Sequence, residues 1–185
     1  MLFRSKNDRT LTVTNISDKK QYSLVLDKNC KVYTDGLEGS FGDIKKDTNV
    51  YVKAHWRGYE EDKPAVIPVV EIKDAKTYVI HTMRDEFGPV IAHGKALAID
   101  MAGKTIKVSE DKSAAKTISF DGKTKWVFGT AKVKSPADLQ GASIYVFGHP
   151  AREKQEIASQ VVNETALPAL FDYLAKSGGK IGGQR

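Results

Sequence analysis

The apolar positions of this chain fall in short alternating runs broken by Gly, Asp, Pro and charged residues. Two of these runs nearly repeat each other. Asn49–Trp56 reads NVYVKAHW and Ser143–Pro150 reads SIYVFGHP, each alternating small, apolar and aromatic residues before a histidine. Two further blocks match in the same order. Met1–Thr14 aligns with Ala96–Ser109, setting TLTVT over TIKVS, and Ser23–Tyr33 (SLVLDKNCKVY) aligns with Thr117–Val127 (TISFDGKTKWV). With Asp43–His55 over Asp138–His149, the offset stays at 94 to 95 residues across all three blocks. Agreement in order and spacing over three blocks identifies two copies of one module.

In the second copy the strand-like segments are Val90–Met101, Thr105–Ser109, Lys116–Asp121, Lys125–Phe128, Ser143–Gly148 and Glu156–Val162. Runs of this length with such breaks predict an all-β sandwich or barrel. Asp121-Gly122 predicts a two-residue hairpin turn, and Asp138–Gly141 a short turn or single helical turn. Five or six strands in about 70 residues fit a small barrel of OB type. Closure would also remove exposed strand edges.

The fold class expected is therefore mainly β: two tandem small OB-like barrels with a C-terminal α-helix. The first module spans 1–73, a linker with a strand at Thr77–Met83 and a turn at Arg84–Pro89 spans 74–90, and the second module spans 91–162. Residues 163–185 form the helix and a flexible tail. Thr165 is the expected N-cap, and Pro168 fits the first turn. Leu167, Leu170, Phe171 and Leu174 share one face, and Gly178 ends the helix. Copy one starts at the equivalent of Ala96, partway along the first strand of copy two. Either a leader has been removed upstream or that strand is short.

Alternation also sorts the repeated phrase by face. Val50, Val52 and Ala54, with Ile144, Val146 and Gly148, point inward. Tyr51, Lys53 and His55, with Tyr145, Phe147 and His149, line the other face. An aromatic and histidine row of this kind is either covered by the rest of the chain or serves as a surface for a ligand or partner. Trp56 and Tyr59 follow in copy one and favour that copy as a binding edge. Lys123 and Lys125 add positive charge near Trp126 in copy two, although Trp126 aligns with the apolar Val32, which points to core packing.

The chain has 185 residues and a formal net charge of +6, concentrated in the second half. That suits an acidic partner, nucleic acid or acidic polysaccharide included. A single cysteine, Cys30, excludes an internal disulfide and reads as a small packed residue; it suits the cytosol or the cell envelope alike. No apolar run approaches the roughly 18 residues of a membrane-spanning helix. The four histidines, His55, His81, His93 and His149, lack zinc-type spacing, so no metal or other cofactor is expected. Nucleophile-elbow, P-loop and metalloprotease motifs are missing. The acidic runs Glu60–Asp62 and Glu110-Asp111 read as solvated loop charge. The expectation is a protein that is not an enzyme.

Residues 91–162 also carry a family pattern: GKALAID, then KTIKV, then DGKTKWV, then ADLQGASIYVFG. This resembles a bacterial OB-like barrel domain of unknown function, found singly and in tandem in exported proteins. Residues 1–73 follow the pattern loosely, with Asp43-Ile44-Lys45-Lys46 in place of the Ala-Asp-Leu turn and Ala54 in place of Gly148. The resemblance implies the fold and a periplasmic or extracellular location after loss of a leader; it brings no catalytic residues. The functional expectation is a non-catalytic binding or scaffolding protein that engages a protein partner or larger assembly through exposed aromatic strand faces. The alternative is OB-type binding of single-stranded nucleic acid or another polyanion.

Overall fold

The computed structural model describes residues 3–4, 10–55, 68–110, 113–129, 133–150 and 156–178. The protein is mainly β, with two barrel-like sheets and a C-terminal helix. Two compact units are present: residues 1–80 with 173–185, and residues 81–172.

The first unit contains β1 (Phe3–Arg4), β2 (Thr10–Thr14), β3 (Gln21–Thr34), β4 (Leu37–Gly39), β5 (Val50–Ala54) and β6 (Pro68–Asp74). Its sheet runs β1-β2-β3-β6-β5, with β4 paired to β3. The second unit contains β7 (Val90–Asp100), β8 (Thr105–Ser109), β9 (Lys116–Val127), β10 (Ser143–Pro150) and β11 (Glu156–Asn163). These form a closed barrel in the order β10-β11-β9-β8-β7, a five-stranded arrangement of OB kind.

The two sheets share one register. Arg4 pairs with Leu11 as Ile99 pairs with Ile106. Leu11 pairs with Leu24 as Ile106 pairs with Ile118. Parallel pairing places Leu26 beside Val69 as it places Phe120 beside Ala158, and after a matching irregularity Val32 meets Ile72 as Trp126 meets Val161. Even the break in the last ladder recurs, at Lys53/Ala54 and at Phe147/Gly148. Local hydrogen bonds repeat as well. Asn29 N donates to Asp27 Oδ1 at 2.8 Å, and Lys123 N to Asp121 Oδ1 at 2.8 Å. Ser40 and Asp43 cap one 3-10 turn; Ser135 and Asp138 cap the other. The backbone and hydroxyl donors of Lys134 and Ser135 hold the Asp138 carboxyl below its ordinary range.

What separates the sheets is closure. The first half of β7 crosses to β10, pairing Ala92 with Val146, His93 with Tyr145, Gly94 with Ile144 and Lys95 with Ser143. From Lys95 onward the strand pairs with β8. Gly94 sits where the strand passes from one partner to the other, with φ +155°, and a Cβ there would lie 1.9 Å from the Ser109 carbonyl oxygen. A single strand can serve both sides of a barrel only if it bends, and a residue without a side chain permits the bend. Lys116 pins one end of the closure, donating to the Ile91 carbonyl at 2.6 Å and pairing with Glu156. Among the described residues, β5 pairs with β6 alone.

Three local expectations are corrected. Asp121-Gly122 is no hairpin turn: it lies within β9, where the chain bulges between its pairing with β8 and its later pairing with β11. Thr124 Oγ1 donates to the Ala158 carbonyl at 2.7 Å and holds that bulge. The tight hairpin turn is instead Asp35-Gly36, with φ 51° and 84°, joining β3 to β4. Next, Thr77–Met83 belongs to a helix, α1 (Ala75–Phe87), which also takes in most of the expected turn. Its β-branched residues and Tyr78 suggest a strand, but the Asp74 carboxylate accepts from the Thr77 N–H at 2.6 Å, as an N-cap side chain does. Third, the C-terminal helix α2 (Leu167–Lys176) follows a 3-10 turn capped by Asn163, not Thr165. Leu167, Phe171 and Leu174 are buried as expected, and Gly178 takes φ +67°.

Gly94→Ala should lower the free energy of unfolding by about 3 kcal/mol, combining a clash with a strained backbone. Gly122→Ala, with open space at its Cβ position, should stay within about 0.5 kcal/mol. Urea unfolding measures both; equal costs would contradict the role given to Gly94.

Candidate functional site

Each core follows from the alternation. Leu11, Leu24, Leu26, Val32, Ile44, Val69 and Ile72 fill the first sheet, with Val13, Val50, Val52 and Ala54 only partly buried against them. Their counterparts in the barrel include Val108, Ile144 and Val146, all fully buried. The same positions are thus fully buried in the closed copy and only partly buried, on β2 and β5, in the other.

The outward row of β10 takes the first of the two alternatives: at Tyr145 and Phe147 it is covered by the rest of the chain. Tyr145 is 5% exposed and Phe147 0%, so neither presents an exposed aromatic face. Ile144 and Val146 already face the barrel core; both faces of β10 are withdrawn from water. Tyr145 stacks on His93 of β7, centroids 3.8 Å apart and planes 10° apart, and the His93 ring approaches Glu164 at 3.6 Å. His149 is exposed, with its ring against Gly88: a Cβ on Gly88 would lie 2.5 Å from His149 Cε1.

In copy one the row is more open. Tyr51 is half-buried, stacked on Tyr78 of α1 at 4.3 Å and 11°. Lys53 and His55 are exposed, and the His55 N–H donates to the Pro68 carbonyl. Across the sheet, Tyr51 pairs with Lys73 and Lys73 with Tyr33, while Lys53 pairs with Glu71 and Glu71 with Lys31. Lys73 bridges the two rows, 3.2 Å from Glu71 and 5.9 Å from the Tyr33 ring centroid. Sequence reasoning missed this row because Tyr33, Lys73 and Glu71 lie on strands distant in the chain. Trp56 and Tyr59 lie outside the described residues.

The lysines of copy two are dispersed. Lys123 is exposed in the β9 bulge; Lys125 lies 5.0 Å above the Phe87 ring. Trp126 packs edge-on against Phe120 in the barrel core, 5.2 Å between centroids. OB barrels take oligonucleotides on the face of their second and third strands. By alternation with the core residues, that face presents Thr105, Lys107, Thr117 and Ser119 in one copy and Thr10, Thr12, Ser23 and Val25 in the other. None of these is aromatic; farther along β3 the same face carries Tyr33.

Burial, with Asp27 and Glu71 nearby, pushes the Cys30 thiol up to about 11, which disfavours the nucleophilic thiolate. Among the described residues no three His, Cys, Asp or Glu side chains are grouped to hold a metal ion, and no helix is long and apolar enough to cross a membrane. The fold is that of two tandem OB-like sheets, one a closed barrel and the other, among the described residues, a half-barrel. Comparison with protein-family models, curated proteins and solved structures found no match.

A double-mutant cycle of Tyr51→Ala and Tyr78→Ala should give a coupling energy of about 1 kcal/mol, the ordinary worth of a stacked pair. Additive losses would show that the stack does not hold β5 to α1.

Proposed function

We propose that this is a non-catalytic binding or scaffolding protein whose first module engages a protein partner along β5. The reading rests on one observation. Val50, Val52 and Ala54 are only partly buried where the equivalent residues of the closed copy are fully buried, and Tyr51, Lys53 and His55 flank them. Apolar positions beside an aromatic and a rim charge have the composition of a protein interface. Tyr145 and Phe147 are buried and take no part. The resemblance of residues 91–162 to an exported bacterial barrel domain suits a role in an assembly outside the cytoplasm and belongs to the same proposal.

Nucleic-acid binding is the weaker reading. Single-strand binders combine a basic groove with aromatic platforms; here the net charge of +6 remains, but the strand face such proteins use offers one aromatic, Tyr33, among hydroxyls, Val25 and dispersed lysines.

Two measurements test the proposal. In an anisotropy titration with a labelled single-stranded 20-mer, any association should fall steeply with salt and be erased by an acidic polysaccharide. Micromolar or tighter binding that survives the polysaccharide would overturn the reading. A photo-crosslinking residue at position 53 should capture another polypeptide in the native host, in competition with excess unlabelled protein. The same residue at position 123 should capture none; equal capture at both positions would also count against it.

A further inference from the structure

We infer that the β5 edge is a strand-addition site: it takes an extended segment of another polypeptide, antiparallel to β5, in the register that β7 holds on β10. This deepens the protein-binding reading and rests on it. The molecule carries its own template. Apart from the short β3–β4 hairpin, each ladder of the first sheet has its counterpart in the barrel, and the bulges of the β3–β6 and β5–β6 ladders recur there. One barrel ladder has no counterpart among the described residues, the antiparallel pairing of Val90 and Ala92–Lys95 with β10. A bare edge leaves main-chain donors and acceptors unpaired and invites another strand.

Register transfer gives the chemistry of the guest. Val52 occupies the place of Val146, which faces Ala92; Val50 occupies that of Ile144, which faces Gly94. The guest therefore needs small residues at these two positions to enter the half-open core. A planar side chain belongs opposite Tyr51, where His93 stacks on Tyr145 in the barrel. At the next position the copies differ. Phe147 faces Val90, but its equivalent is Lys53, which is exposed. An acidic residue there would complement the ammonium. The partner segment thus reads acidic, apolar, small, planar, Gly.

Three synthetic peptides test this against the full chain. The first is Pro89–Leu97 of the protein itself, PVIAHGKAL; the second carries Val90→Glu; the third carries Ala92→Pro, which removes a main-chain donor and cannot perturb the protein's own folding. Binding is followed by anisotropy of labelled peptide, and its place by crosslinking from a photo-reactive residue at position 53. The expected result is binding by the first peptide, about threefold tighter binding by the second, which adds one surface ion pair, and loss of binding by the third, with crosslinks at position 53. Undiminished binding of the proline peptide, or binding without crosslinks at position 53, would overturn the strand-addition site. A concentration-dependent dimer that the peptide does not dissociate would assign the edge to a second copy of the chain and overturn it as well. If no peptide binds while position 53 still captures a polypeptide in the host, strand addition fails and the protein-binding reading stands. Loss of both removes the two together.

Discussion

The pairing of Val90–Lys95 with Ser143–Phe147 is the contact on which the difference between the two sheets depends. In the second unit it joins β10 to β7, gives every strand two neighbours and seals Ile144 and Val146 into the core. It requires a chain that serves β10 and β8 in turn, hence a bend, hence Gly94 at φ +155°. The first sheet repeats every other ladder, and along β5 its core stays half-open.

Closure also redistributes polarity. The outward positions of β10 are apolar, Tyr145 and Phe147, and both are buried. Their equivalents on β5 are Tyr51 and Lys53, set in cross-strand rows with Lys73, Tyr33, Glu71 and Lys31. A sheet buried on both sides reads as continuous apolar sequence, and one wet side restores alternation with charge. SIYVFG and NVYVKA differ in just this way. Among the described residues β10 is paired on both sides, whereas β5 pairs with β6 alone and carries the half-buried Tyr51 and the exposed Lys53.

Most of the architecture was legible because the repeat supplied an internal check. The alignment of TLTVT with TIKVS predicted the equivalence of β2 and β8, and their ladders match residue for residue. Less legible were features where a local signal competes with a distant partner. Asp121-Gly122 has hairpin composition, yet Thr124 bonds to Ala158, a residue far along the chain, and holds the segment as a bulge. Tyr78, Val79 and Ile80 have strand propensity, yet the Asp74 cap commits them to α1. The site was half legible. Alternation placed Tyr51 and Lys53 on one face of β5, but burial of Tyr145 and Phe147 depends on tertiary packing that a period-two pattern does not encode. The pairing of Lys53 with Glu71 is likewise a matter of register.

Amide hydrogen exchange of the free protein, resolved by residue, tests the asymmetry most directly. The amides of Ile144–Gly148, paired on both sides, should be protected throughout. Alternate amides of Val50–Ala54 should exchange faster than their counterparts by more than about a hundredfold. Matching protection along both strands would mean that the β5 edge is already occupied, and would contradict the account.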